Sequence, residues 1–125
     1  MDRAPIVLVV DDERDVRELV REILRTAGIV ALSAENGESA LQVIGECAGR
    51  IDLVLTDVMM PVVDGFTLAR RLEKEQPELP VLFMTGYPAD TLAALGLLPA
   101  DMPRIEKPFR IRELVDRVRD ALADS

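Results

Sequence analysis

The sequence contains no histidine and no tryptophan, and its one cysteine is Cys47. Without histidine the chain offers no histidine-based triad, no histidine-ligated zinc and no phosphohistidine of its own. A single cysteine excludes an internal disulfide and suits a reducing cytoplasm. Cys47 itself reads as a small apolar residue on a helix face. Basic residues are also in deficit: 15 Lys+Arg stand against 23 Asp+Glu, a formal net charge of −8. Nucleic-acid binders need a basic face to replace phosphate counterions, which argues against direct DNA or RNA binding. Long apolar runs are missing too. The run from Ile6 to Val10 is too short for a signal-peptide core or a membrane span. What is present is 125 residues, 49% hydrophobic and 30% charged, the make-up of one globular domain.

Short β-rich runs alternate with longer helical ones, without internal repeats. Ile6-Val7-Leu8-Val9-Val10 is a continuous apolar run, as expected of a central parallel strand covered on both faces. Across residues 13–27, Val16, Leu19, Val20, Ile23, Leu24 and Ala27 fall on one helix face, and Gly28 supplies a stop. Residues 29–34 read as the second strand, and Asn36 or Ser39 opens a helix carrying Leu41, Val43 and Ile44. Residues 51–56 are the third strand. A helix after Asp64-Gly65 turns Phe66, Leu68, Ala69 and Leu72 inward and closes at Gln76-Pro77. Residues 80–84 are the fourth strand. Residues 89–98 form a weaker helix, interrupted by Gly96 and ended by Pro99. Residues 102–106 make a fifth strand, where Pro103 points to a sheet edge. The last helix, residues 110–123, buries Ile111, Leu114, Val115, Val118 and Leu122. Five strands alternating with five helices imply right-handed crossovers and a doubly wound α/β sheet. With the most apolar strands at the centre, the order is 2-1-3-4-5, and ligands belong beyond the carboxyl ends of the strands.

Those ends carry an unusual set. Asp11 and Asp12 follow the first strand, Asp57 the third, Thr85 the fourth and Lys107 the fifth. Taken singly, an acid such as Asp12 reads as a helix cap. Five such groups converging on one edge call for another account. Two carboxylates about 5 Å apart repel by roughly 3 kcal/mol at an effective dielectric of about 20. Three together either raise a pKa or hold a cation. Oxygen ligands without histidine favour a hard ion, Mg²⁺ first and Mn²⁺ or Ca²⁺ next. Lys107 then offers a point charge for a phosphoryl oxygen, and Thr85 a hydroxyl donor. Asp57 can be the nucleophile, because carboxylates form aspartyl-phosphates.

Val10-Asp11-Asp12-Glu13, Leu55-Thr56-Asp57-Val58-Met59-Met60-Pro61, Asp64-Gly65, Met84-Thr85-Gly86-Tyr87 and Lys107-Pro108-Phe109 together resemble the response-regulator receiver domain of two-component signalling. The resemblance runs through the chain in order. It implies a flavodoxin-like (βα)5 fold and a phosphorylation-controlled switch. Asp57 would accept a phosphoryl group from a sensor histidine kinase or a histidine phosphotransfer protein. Mg²⁺ would be held by Asp12, Asp57 and the Met59 carbonyl, with Asp11 helping through water. Thr85 and Lys107 would be the switch hydroxyl and the phosphate-binding lysine, and the bond between Lys107 and Pro108 is often cis in this family. One position departs from the pattern. Receivers often carry Tyr or Phe three residues before the lysine, where this chain has Arg104. The stretch from Phe83 to Tyr87 resembles stand-alone or hybrid-kinase receivers more than those attached to DNA-binding outputs.

Two rivals fit less well. Haloacid-dehalogenase-like phosphatases also use an aspartyl-phosphate, but carry a second Asp two residues on, where this chain has Met59. A flavin or nucleotide binder of similar topology would need a glycine-rich phosphate loop, and none is present. The expectation is one receiver domain over residues 1–125 without an output domain. It would be cytoplasmic and not a turnover enzyme, although it catalyses its own phosphorylation and slow dephosphorylation. It would signal by docking through the face near Leu92 and Arg104, where Leu97 and Leu98 either pack inward or form an apolar patch.

Overall fold

The computed structural model describes residues 3–47, 49–60, 63–98 and 102–123. Pro61 and Pro99, named above, lie outside these residues. The elements are β1 (Ile6–Val10), α1 (Arg14–Thr26), β2 (Val30–Ala34), α2 (Gly37–Cys47), β3 (Leu53–Asp57), α3 (Gly65–Glu75), β4 (Val81–Thr85), α4 (Ala89–Ala94), β5 (Arg104–Glu106) and α5 (Ile111–Ala123). The sheet is parallel throughout, in the order β2-β1-β3-β4-β5. The expected topology is the one found. No helix among the described residues is long and apolar enough to cross a membrane.

Alternation along the central strands divides the core between the two sheet faces. Val7, Val9, Leu53 and Leu55 pack with Val20, Ile23 and Leu24 of α1 and Leu114 and Val118 of α5. Leu8, Val10 and Val54 pack with Ala40 and Ile44 of α2 and Leu68 and Leu72 of α3. A third cluster, Val58, Phe83, Leu92 and Leu98, lies under α4.

Local signals end and start the helices. Asn36 is the residue that opens α2, its Oδ1 accepting the Ser39 amide at 2.8 Å. Asp64 caps α3 by accepting the Thr67 amide at 2.7 Å. Gly28 stops α1 at φ +83°, with the Ile29 amide donating to the Leu24 carbonyl and the Gly28 amide to that of Arg25.

The same motif shortens α4. Expected over residues 89–98, this helix ends at Ala94 because Gly96 takes φ +71° and the Leu97 amide turns back to the Leu92 carbonyl. Leu98 is thereby carried into the third cluster, so the choice left open for it falls on inward packing. Leu97 packs part-buried against that cluster, and Leu95 is the large apolar residue of the segment left exposed, at 59%. Two other expectations fail. β5 is shorter than residues 102–106 and begins after Pro103, whose missing N–H keeps it out of the ladder. Ile111, expected inside, is 65% exposed because it is the first residue of α5, ahead of the face that carries Leu114 and Val118.

Candidate functional site

The carboxyl ends of β1, β3, β4 and β5 bring the sequence-derived residues to one rim. Asp57 and Thr85 are the last residues of β3 and β4, and Asp11 and Lys107 directly follow β1 and β5. In-register pairing of these strands sets the rim, with Val10 opposite Thr56, Asp57 opposite Met84 and Thr85 opposite Glu106.

Lys107 is the hub. Its Nζ lies 2.8 Å from Asp11 Oδ2 and 3.1 Å from Asp57 Oδ2. Asp11 is wholly buried and Asp57 is 7% exposed, whereas Asp12 is exposed. Asp11 Oδ1 also accepts the Glu13 amide at 2.9 Å, and Asp57 Oδ1 accepts the Met59 amide at 3.3 Å. Thr85 is buried, its Oγ1 accepting the Tyr87 amide at 3.0 Å while its carbonyl accepts the Lys107 amide at 2.7 Å. The bond between Lys107 and Pro108 is cis, as the resemblance implied.

Two supports were not singled out in the sequence. Thr56 Oγ1 donates to the Asp57 carbonyl at 2.9 Å. Gly65 packs on that same carbonyl so closely that a Cβ there would lie 2.0 Å from the oxygen. A glycine opening a helix, where almost any residue forms helix better, was the signal for the second.

The charges do not balance. Three carboxylates face one ammonium, and two of the three are buried. Burial pushes the Asp57 carboxyl above the usual aspartate range; the Lys107 ammonium opposes that rise and the Asp11 carboxylate adds to it. Burial alone would lower Lys107, but its hydrogen bond to Asp11 and the two carboxylate charges outweigh it and hold the lysine above its ordinary value. Asp57 therefore favours the fold only in acid; that contribution is lost as pH rises from about 3.9 through its raised value. Lys107 favours the fold up to about pH 10.4, and that contribution is lost as pH rises through its own raised value.

Lys107→Ala should cost the metal-free protein about 3 kcal/mol at pH 7, because it leaves two buried carboxylates without their counter-charge. Part of the loss should return at pH 5, because lower pH favours the neutral form of the Asp57 carboxyl, which burial already holds above the usual aspartate range. Urea denaturation at the two pH values checks this, and equal losses at both would contradict it.

Asp11, Asp12 and Asp57 each offer one carboxylate oxygen, and these atoms all lie within 4.8 Å of one another. An all-oxygen set with excess negative charge fits a hard divalent cation.

An open parallel α/β sheet with a carboxylate–lysine cluster beyond its strand ends is of the doubly wound class, in which ligands bind outside the carboxyl ends of the strands. Residues 7–119 match the response regulator receiver domain, and the chain belongs to that family of two-component signal transduction. It is 34% identical over 116 residues to the response regulator receiver protein CpdR of Brucella abortus, covering 93% of this chain and 95% of CpdR. It is 37% identical over 118 residues to the sensor kinase CckA of the same organism, covering 93% of this chain but only 12% of the kinase. Among solved structures, response regulator TrrA of Thermotoga maritima, in complex with Mg²⁺ and BeF, superposes with a TM-score of 0.79 at 32% identity, over 94% of this chain and 98% of that one.

Proposed function

We propose that this receiver domain is a Mg²⁺-dependent phosphoacceptor whose phosphorylated residue is Asp57. The observation that carries the reading is the Lys107 ammonium bridging two buried carboxylates, one of which stands at a strand end beside the exposed Asp12. An Asp57 carboxylate oxygen attacks the phosphorus of a phosphohistidine on a sensor histidine kinase or histidine phosphotransfer protein. The P–N bond breaks, its electron pair stays with the imidazole, which takes a proton from solvent, and a P–O bond forms to Asp57. Lys107 exchanges its carboxylate contact for a phosphoryl oxygen, and Thr85 donates its hydroxyl to another. Asp12, Asp57 and the Met59 carbonyl would hold Mg²⁺, with Asp11 helping through water, and the ion would supply neutralising charge for the phosphoryl oxygens. The fit of the donor set and the Mg²⁺–BeF complex of TrrA support that choice of ion.

Output follows from docking through the α4–β5 side. Leu92 and Leu98 are buried, so among the described residues the large apolar side chains exposed to a partner there are Leu95 and Tyr87. Arg104 replaces the usual aromatic and is part-buried in the edge strand, its Nε donating to the Met102 carbonyl at 3.1 Å. The differential between the two states then comes from the loop after Thr85, with Tyr87 shielding or exposing the phosphoryl group.

Mg²⁺ with beryllofluoride should raise the melting temperature of the wild type, since a ligand bound only by the folded state stabilises it. Asp12→Asn should abolish that rise. Because Asp12 is exposed, its metal-free stability should stay within about 0.5 kcal/mol of wild type. An Asp12→Asn protein that keeps the full ligand-induced rise overturns the cation assignment.

A further inference from the structure

Resting on the cation site proposed above, we infer that Arg17 is a positioning residue for it, fixing the peptide that carries Asp12. Arg17 stands in the first turn of α1, where the helix field disfavours a cation. Of the other arginines of that helix, Arg14 and Arg25 are exposed and paired along it with Glu18 and Glu22, while Arg21 is part-buried, pairing with Glu18 and donating its Nε to the Ala31 carbonyl of β2 at 3.3 Å, away from the rim. Arg17 instead turns back towards the rim, and its guanidinium donates to the main-chain carbonyl of Asp11 at 2.8 Å. It is part-buried there.

That contact completes a frame around the loop. The Asp11 amide donates to the Ala34 carbonyl at 3.2 Å, the Glu13 amide to Asp11 Oδ1 at 2.9 Å, and the Arg17 amide to the Glu13 carbonyl at 3.1 Å. The peptide between Asp11 and Asp12 is planar, so holding its carbonyl also fixes its N–H and the Asp12 Cα. Asp12 is exposed, so packing does little to hold its carboxylate beside the two buried ones. The orientation of its peptide does. Groups that orient metal ligands in this way typically change affinity by about 10–100-fold when removed.

Charge alone predicts the opposite sign. A guanidinium beside a cation site repels the cation, so removing it would tighten binding if Arg17 were only a nearby charge. A positioning role makes removal weaken binding.

The test is Mn²⁺ titration of the metal-free protein, followed by electron paramagnetic resonance of the free ion. R17A should bind Mn²⁺ about tenfold more weakly than wild type. R17K, which keeps the charge but not the guanidinium fork, should fall between the two, and R14A should match wild type. In metal-free R17A, amide exchange should speed up at Asp12 and Glu13 and stay unchanged in α3. If R17A binds Mn²⁺ as tightly as wild type, or more tightly, Arg17 is not a positioning residue, even if the melting temperature has dropped. Should R17A fail to fold, R17K decides: weaker binding supports the role, and equal or tighter binding overturns it. If wild type binds no Mn²⁺, the cation reading itself fails, a result distinct from R17A matching a wild type that does bind.

Discussion

Asp57→Asn protein incubated with acetyl phosphate and Mg²⁺ should carry no phosphoryl group, while its fold is retained. The side chain ends β3 with one oxygen on Lys107 and the other on the Met59 amide. A carboxamide of the same shape fills that place but offers no anionic oxygen to attack phosphorus. The other acids do not substitute for it: Asp11 is fully buried, held by Lys107 and the Glu13 amide, and Asp12 is exposed. The loss should therefore be complete. Stability should move the other way. Burial and Asp11 both disfavour a negative charge at Asp57, so the neutral variant should be at least as stable as wild type at pH 7 in metal-free buffer. Intact-mass spectrometry and a melt on the same sample read both effects. A phosphoryl group retained at wild-type stoichiometry would show that Asp57 is not the acceptor.

Gly65→Ala should destabilise the protein by about 3 kcal/mol. The added Cβ would lie 2.0 Å from the Asp57 carbonyl oxygen, 2.9 Å from its carbon and 3.0 Å from the Val58 Cα. All three are backbone atoms, so no side chain can rotate out of the way. The Gly65 amide also donates to the Val58 carbonyl at 2.8 Å, which ties the start of α3 to the loop being pushed. Helix propensity alone would make alanine better than glycine by about 1 kcal/mol, so the sign of the change separates the two explanations. The displacement reaches the chemistry as well. Moving a reacting group by about 1 Å can cost about 10²-fold in rate, so folded Gly65→Ala should also accept phosphoryl groups slowly. Urea titration and the labelling rate measure the two parts. A variant within about 0.5 kcal/mol of wild type would mean that the loop relaxes freely.

Sequence patterns carried most of the architecture because the strong signals here are local. The unbroken apolar β1, the helix-face spacing of α1 and the cap-and-stop residues Asp64 and Gly28 each act within a few positions of themselves. Strand order followed from relative apolarity, and it placed Asp11, Asp57, Thr85 and Lys107 on one rim without any side-chain geometry. What could not be read there depends on distant contacts. Whether α4 continued past Gly96 rested on whether Leu98 had a cavity to fill, and the cluster of Val58, Phe83 and Leu92 provides it. Ile111 looked apolar and in phase, but α1 and the sheet leave its end of α5 uncovered. The three acids were indistinguishable by type; burial separates Asp11 and Asp57 from Asp12 and gives Lys107 two partners. Gly65 and Arg17 were visible as residues, but their work is done on the backbone of Asp57 and Asp11.

The central claim, that this receiver domain is phosphorylated on Asp57, is tested most directly by locating the acyl phosphate. Wild-type protein would be phosphorylated by a phosphohistidine protein in the presence of Mg²⁺, then reduced with borohydride, which converts an aspartyl-phosphate to homoserine. Peptide mapping should find homoserine at Asp57 alone, and none when Mg²⁺ is chelated. Homoserine at Asp11 or Asp12, or equal labelling without the metal, would contradict the account.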